Sequence, residues 1–260
     1  MGSHLFHFSL TASDDTPWAS VDKLFDVLHE DDRVLVVNKP AGLVCHPTKG
    51  DEWSSLIGRA RLHLGPGRPP HLVNRLDRET SGVVVVAKDP ATARELGRLW
   101  ETRAVRKEYL AIVHGHLREE HEVIDAPLGK DERSGVAIKD CVRADGAAAQ
   151  TELWVERRCT RARLPAGEFT LLRVVPHTGR KHQIRIHLAH LGHPIVGDKI
   201  YGGNENLYLA LVEGRLNAEQ RERLMLPHQA LHARAVQFRW ANESFSFACA
   251  PDEAFSRFLQ

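Results

Sequence analysis

Residues 75–90 read Arg75-Leu76-Asp77-Arg78-Glu79-Thr80-Ser81-Gly82-Val83-Val84-Val85-Val86-Ala87-Lys88-Asp89-Pro90. The run Val83 to Ala87 is apolar without alternation, the mark of a strand buried on both faces. Asp89-Pro90 then opens a helix, with Asp as N-cap and Pro at the first helical position. Ala93, Leu96 and Trp100 carry that helix to about Arg103. Lys107 to Val113 alternates as a strand, with Tyr109, Ala111 and Val113 on one face and Leu110 and Ile112 on the other. Strands and helices interleave here without a regular βαβ rhythm, which predicts an α+β fold rather than a doubly wound parallel sheet.

Upstream, Val34 to Val37 is a short β-branched strand that ends at the turn Lys39-Pro40-Ala41-Gly42. Ser54 is the expected N-cap of a helix carrying Leu56, Ile57, Ala60 and Leu64 on one face. Residues 65–70, Gly-Pro-Gly-Arg-Pro-Pro, interrupt the chain. Downstream, residues 118–150 are polar and Gly-rich, as short strands joined by exposed loops would be. Phe169 to Val175 reads as a strand, and Thr178 to Leu191 as a helix ended by Gly192. Asn217 and Gln220 form a capping-box pattern for a charged helix near 217–225. Strands near 232–240 and 244–249 close the chain.

Composition narrows the function classes. Hydrophobic residues make up 42% of the 260 residues and charged residues 27%, which fits a folded chain. Lys plus Arg number 35 and Asp plus Glu 34, so a protein basic all over is excluded. The longest apolar run, Leu207 to Val212, is six residues, far below the roughly 18 that a membrane-spanning helix needs. No secretory pattern opens the sequence, and Cys45, Cys141, Cys159 and Cys249 form no Cys-x-x-Cys pair. Buried thiols and a cytoplasmic location are expected. No G-x-G-x-x-G or Walker sequence occurs, so no nucleotide cofactor is expected.

Three segments can carry chemistry. In the first, Asp77 is flanked by Arg75 and Arg78 just before a buried strand, where positive neighbours favour the ionised form that a nucleophile or base needs. A surface turn with ordinary ion pairs would carry the same residues. In the second, Tyr109 sits on one face of a strand, either as a stacking platform or as a core tyrosine. The third is His177-Thr178-Gly179-Arg180-Lys181-His182-Gln183-Ile184-Arg185-Ile186-His187, a helix whose start would bring Arg180 and Lys181 to phosphate oxygens. Residues 157–187 carry a net charge of +7 in a chain of +1. A solvated charged face is the alternative. His182, His187, His190 and His193 contain no pair at the i, i+4 spacing of an H-E-x-x-H zinc pair, so no metal site is expected.

Together these segments resemble the RluA family of pseudouridine synthases. The resemblance runs through Asn38-Lys39-Pro40-Ala41-Gly42-Leu43-Val44 with His46-Pro47, then Arg75 to Gly82, and Lys107-Glu108-Tyr109-Leu110-Ala111. Its strongest stretch is Thr178 to Ala189, followed by Gly192-His193-Pro194-Ile195, Gly197-Asp198 and Leu231-His232-Ala233. It covers roughly residues 27 to 250. It implies a mixed, mainly antiparallel central sheet flanked by helices, with a cleft across its middle. The implied domain is 27–260, preceded by an extension of 1–26 with no S4 domain.

The resemblance also assigns roles. Asp77 matches the catalytic nucleophile, Tyr109 the tyrosine that stacks on the extruded uracil and takes a proton from C5, and Arg185 the arginine paired with the aspartate. Arg75 matches the residue that opens the RNA and fills the space of the flipped base. Arg180, Lys181 and His182 would hold phosphates, and Ile184 or Leu188 would wall the pocket. The sequence departs from the family at Asn74, where His is usual, and Tyr208 to Leu226 resembles a helical insertion, either a specificity element or an exposed structural helix. The implied activity is isomerisation of uridine in structured ribosomal or transfer RNA without a cofactor, and a monomer is expected because no exposed heptad or long apolar stripe appears. An inactive RNA-binding protein on the same scaffold is the alternative, against which the intact Asp77, Tyr109 and Arg185 set stands.

Overall fold

The computed structural model describes residues 25–47, 52–162 and 167–260. The extension, up to residue 24, and Arg163 lie outside them. The first half contains β1 (Asp26–Glu30), β2 (Val34–Lys39), α1 (Leu56–Leu64), β3 (His71–Leu72), β4 (Ser81–Ala87), α2 (Pro90–Glu101) and β5 (Val105–His114). β6 (His121–Asp125), β7 (Leu128–Lys130), β8 (Asp140–Val142), β9 (Gln150–Thr160) and β10 (Glu168–Pro176) follow. The chain ends with α3 (Gln183–His190), α4 (Asn206–Val212), α5 (Ala218–Leu224), β11 (Leu231–Trp240), β12 (Glu243–Ala248) and α6 (Glu253–Phe258). None of the described helices is long and apolar enough to cross a membrane.

One large sheet runs β1-β2-β4-β11-β5-β10-β9-β6, with β12 added to β11 and β3 to β4. Among its pairs only β4 with β11 is parallel, through His232 opposite Ser81 and Ala233 opposite Gly82. This short join connects the two halves of the sheet, and the functional residues gather around it. Gly82 makes the join possible: at φ +118° it lies so close to β11 that a Cβ would fall 2.2 Å from the Ala233 carbonyl oxygen. The α+β architecture with a mixed, mainly antiparallel sheet is therefore the observed one.

The run 83–87 is buried on both faces, with every β4 residue enclosed. Val84 and Val86 pack with Leu35, Val37 and the α1 residues Leu56 and Ala60. Val83 and Val85 face the other way, onto Leu96 of α2, Val236 and Phe238. A third cluster joins Ile112, Leu172 and Phe169 to Ile184 and Leu188 of α3 and to Phe255 and Phe258 of α6. Asp89 caps α2 as expected, accepting from the amides of Ala91 at 2.8 Å and Thr92 at 2.9 Å, a stabilisation of about 1 kcal/mol.

Several boundaries differ from the sequence reading. The α1 cap is Ser55, which accepts from the Gly58 amide, because residues 52–54 form a 3-10 turn. α3 begins at Gln183, not Thr178, since His182 is left-handed at φ 55°. Gln183 explains this start. Its side-chain oxygen accepts from the Thr178 hydroxyl and the Arg180 amide, and its nitrogen donates to Gln150 and Thr151 on β9. Residues 178–182 are thereby fixed as a loop. The insertion holds two short helices, and Asn217 with Gln220 forms the capping box. Of the four free cysteines only Cys45 is fully buried.

Candidate active site

Asp77 sits in the loop between β3 and β4, and the surrounding backbone is pinned. The Thr80 amide donates to the Asp77 carbonyl, and the Gly42 amide to the Arg78 carbonyl. Lys39 is completely buried and donates to the carbonyls of Pro40, Leu43 and Arg78, at 2.9, 2.8 and 3.1 Å. Burial pushes its ammonium pKa down to about 8. Asn74 braces the other end, accepting from the Val85 amide at 2.8 Å and donating to the Val83 carbonyl. An amide side chain can make both bonds at once, so at this position Asn serves as the loop's anchor to β4.

Arg185 arrives from the buried face of α3 and links two carboxylates. Its Nη1 donates to Asp77 Oδ2 at 2.9 Å. Its Nε and Nη2 donate to Asp198 at 2.7 and 2.8 Å in a bidentate pair. Burial works against the guanidinium charge, but Asp198 and Asp77 outweigh it and raise its pKa further. Asp198 also accepts from the amides of Ile200 and Tyr201. Burial opposes its charge too, yet Arg185 and those amides hold the carboxyl below the usual range.

His182 lies beside the same centre, with Nε2 3.9 Å from Asp77 Oδ2. Its Nδ1 is 2.9 Å from the Tyr201 hydroxyl, which itself accepts from the Asp140 amide at 3.2 Å. The Nδ1 side of the ring is thus engaged by the hydroxyl, and Nε2 is the ring nitrogen on the Asp77 side. Burial first, and the Arg185 charge next, lower the His182 pKa to about 4, so the ring is neutral at pH 7.

A cavity of about 690 Å³ opens over Asp77, and Arg75, Tyr109, Arg180, Lys181, His182, Ile184 and Arg185 line it. Tyr109 is placed by β5, opposite Ala233 on β11 and Val174 on β10. Burial, and secondarily the charge of Asp77, push its hydroxyl pKa well above the usual value. Arg75 is exposed at the rim. Arg180 donates through Nε to the Ala148 carbonyl, and Lys181 pairs with Asp140 at 2.8 Å. Both stand in the loop before α3 rather than in its first turn.

Residues 33–190 match the RNA pseudouridylate synthase family. The chain belongs to this family. A Xanthomonas campestris relative named ribosomal large subunit pseudouridine synthase D is 37% identical over 241 residues, covering 91% of this chain and 68% of that protein. An uncharacterized RNA pseudouridine synthase of Aquifex aeolicus is 39% identical over 184 residues, covering 68% of this chain and 56% of that protein. The chain thus spans from about half to two thirds of the length of such curated relatives, 56% and 66% for those of Aquifex aeolicus and Chlorobaculum parvum. The solved structure of human RNA pseudouridylate synthase domain containing 1 superposes with a TM-score of 0.69 at 28% identity, covering 90% of this chain and 85% of the human one. These relatives place the chain among the RluA-type pseudouridine synthases.

In this chain the structure brings together eight of the nine residues singled out in the sequence. The ninth, Leu188, is fully buried among core residues and does not line the cavity, since it lies one helical turn beyond Ile184 and faces β5 and β10. The +7 stretch does not form one face. β10 alone spans nine residues, roughly 30 Å, so Arg157, Arg158 and Arg161 stand at the opposite end of the β9–β10 hairpin from the cavity. Arg158 pairs with Glu120, and Arg173 with Glu156. His187 is absorbed structurally, bonding Thr151 and the Ala126 carbonyl, and His193 bonds the His114 carbonyl. Asp198, Tyr201 and Lys39 were given no role from sequence. Lys39 and Asp198 both lie in stretches that carry the resemblance, but nothing in the sequence marks either for burial.

Proposed function

We propose that this chain isomerises uridine in RNA to pseudouridine, with Asp77 as the nucleophile. The observation that carries this reading is a carboxylate at the floor of an open cavity, with one oxygen held by Arg185 and no protein hydrogen bond to Oδ1 among the described residues. The reaction breaks the N1–C1′ bond, turns the base and forms a C5–C1′ bond, while the proton lost from C5 is balanced by one gained at N1. No atoms or electrons are added, so no cofactor is required. The target base must leave its stack to reach Asp77. Tyr109 offers it a ring, and such stacking contributes about 1–3 kcal/mol. Because burial keeps the Tyr109 hydroxyl protonated, the ring serves better as a platform than as a phenolate base.

Arg75, Arg180 and Lys181 stand at the rim, where phosphates of the RNA would pass. His182, neutral and buried, fits the role of a donor facing Asp77 better than that of a phosphate ligand. The names of several relatives favour large-subunit ribosomal RNA as substrate over transfer RNA. We take the working protein to be a cytoplasmic monomer. The test is incubation of purified protein with unmodified transcripts of ribosomal and transfer RNA, followed by mass spectrometry of digested nucleosides after cyanoethylation. Pseudouridine is expected with the wild type and not with Asp77→Asn. Product from the Asp77→Asn protein would overturn the assignment.

A further inference from the structure

A second cavity, of about 630 Å³, adjoins the first, and Asp77, His182 and Arg185 line both. Its volume lies within the roughly 300–1,000 Å³ of sites that hold small-molecule-sized groups. Its outer wall comes from the insertion: Tyr208, Leu211 and Val212 of α4 and Leu216 before α5. Ile138 faces the cavity from the loop before β8. Val212 is 66% exposed and Ile138 41%, so two large apolar side chains are held open to solvent at this one place. Arg78 and Arg221 bring positive charge, and neither forms an ion pair among the described residues. The nearby Glu79 is neutralised by Lys199 at 2.8 Å.

We propose that this cavity receives a nucleotide adjacent to the target uridine, with its base against the apolar wall of α4 and its phosphate at Arg78 and Arg221. The inference rests on the reaction proposed above. A uridine that reaches Asp77 has left its stack, so its neighbour loses a stacking surface as well. Chain connectivity puts that neighbour in whichever space adjoins the first cavity at Asp77. The exposed base face then needs apolar or aromatic surface, and the phosphate needs a cation. Stacking tolerates every base, so the cavity selects for an unpaired neighbour rather than for its identity. Specificity of this kind belongs to the insertion of residues 208–226, not to the catalytic residues.

The test uses the full chain and unmodified transcripts of ribosomal and transfer RNA, then a synthetic stem-loop around the uridine found to be modified. Val212→Glu and Arg221→Glu are each expected to raise KM about tenfold, with the loss falling on KM rather than on kcat. Leu62→Glu, on α1 outside both cavities and 52% exposed, is expected to leave KM unchanged. Replacing each neighbouring nucleotide in turn by an abasic ribose should weaken binding to the wild type at one side of the target. That same replacement should cost the Val212→Glu protein little more. If the wild type forms pseudouridine and both variants keep the wild-type KM, the second site is refuted while the reaction stands. If the wild type forms no pseudouridine in any transcript, the reaction itself is refuted and this site with it.

Discussion

Two loops present a carboxylate to the same guanidinium, the loop before β4 and the loop after α3. Asp198, in the second, is completely buried, and both of its oxygens are taken by Arg185 and two backbone amides. Asp77, in the first, keeps 30% of its side chain exposed and makes one bond through one oxygen. Asp198 thus holds the arginine's charge and direction, and a partly exposed carboxylate can stay oriented without being consumed. A lone Arg185 buried against Asp77 would neutralise it in a tight pair. Shared with Asp198, the arginine fixes one Asp77 oxygen and leaves the other without a protein hydrogen bond among the described residues.

The largest effect that bears on this contrast is on turnover. Asp77→Asn is expected to lower pseudouridine formation by roughly four orders of magnitude or more, while urea unfolding shifts by less than about 1 kcal/mol, as for a partly exposed pair. Asp198→Asn should do the reverse in stability, at a cost of about 3–5 kcal/mol, because it leaves a buried guanidinium short of its main partner. If the two variants lose equal stability in urea titrations, the division of roles drawn here is wrong.

A smaller effect is expected from acid. His182 has a folded pKa of about 4, below its ordinary 6.5, so the unfolded chain binds the extra proton first. Its contribution is fully present above pH 6.5 and is lost as pH falls toward 4, amounting to about 1–3 kcal/mol over that window. His182→Gln should reduce the slope of this part of the stability curve, to which His114, His187 and His232, also lowered by burial, contribute as well, as measured by urea titrations at stepped pH. Asp198 adds a further loss only below the usual carboxylate range. The smallest effect is that of Tyr201→Phe, which removes the hydroxyl between the Asp140 amide and His182. A loss of about 1 kcal/mol in urea unfolding is expected, together with a several-fold fall in kcat, and an unchanged kcat would show that the orientation of His182 plays no part in turnover.

Much of this arrangement was legible in the chain because it depends on local rules. The unbroken run 83–87 implied burial on both faces, and α1 and α2 supply the two covers. Asp89-Pro90 and Asn217 with Gln220 located helix starts because capping is a contact among near neighbours in sequence. The start of α3 is not legible locally because Gln183 bonds to Gln150 and Thr151, more than thirty positions away, and that long-range anchor overrides helical periodicity. α6 and β1 gave no local signal strong enough to place them, and both gain their stability from packing on the sheet. The basic stretch 157–187 misled for the same reason, since a sum over sequence ignores that a hairpin separates its ends.

The sequence by itself determined the residue types of the centre, an aspartate between arginines, a strand tyrosine and a distant arginine, together with the α+β class. Only the tertiary structure decided that Arg185 answers to two aspartates, that the His182 ring stands beside Asp77, and that Leu188 packs into the core. The physical reason is that burial sets charge and hydrogen-bonding state, and burial is a property of what the sheet and helices bring together. Proximity in the chain fixes which side chains are available, and the parallel join of β4 with β11 fixes which of them meet.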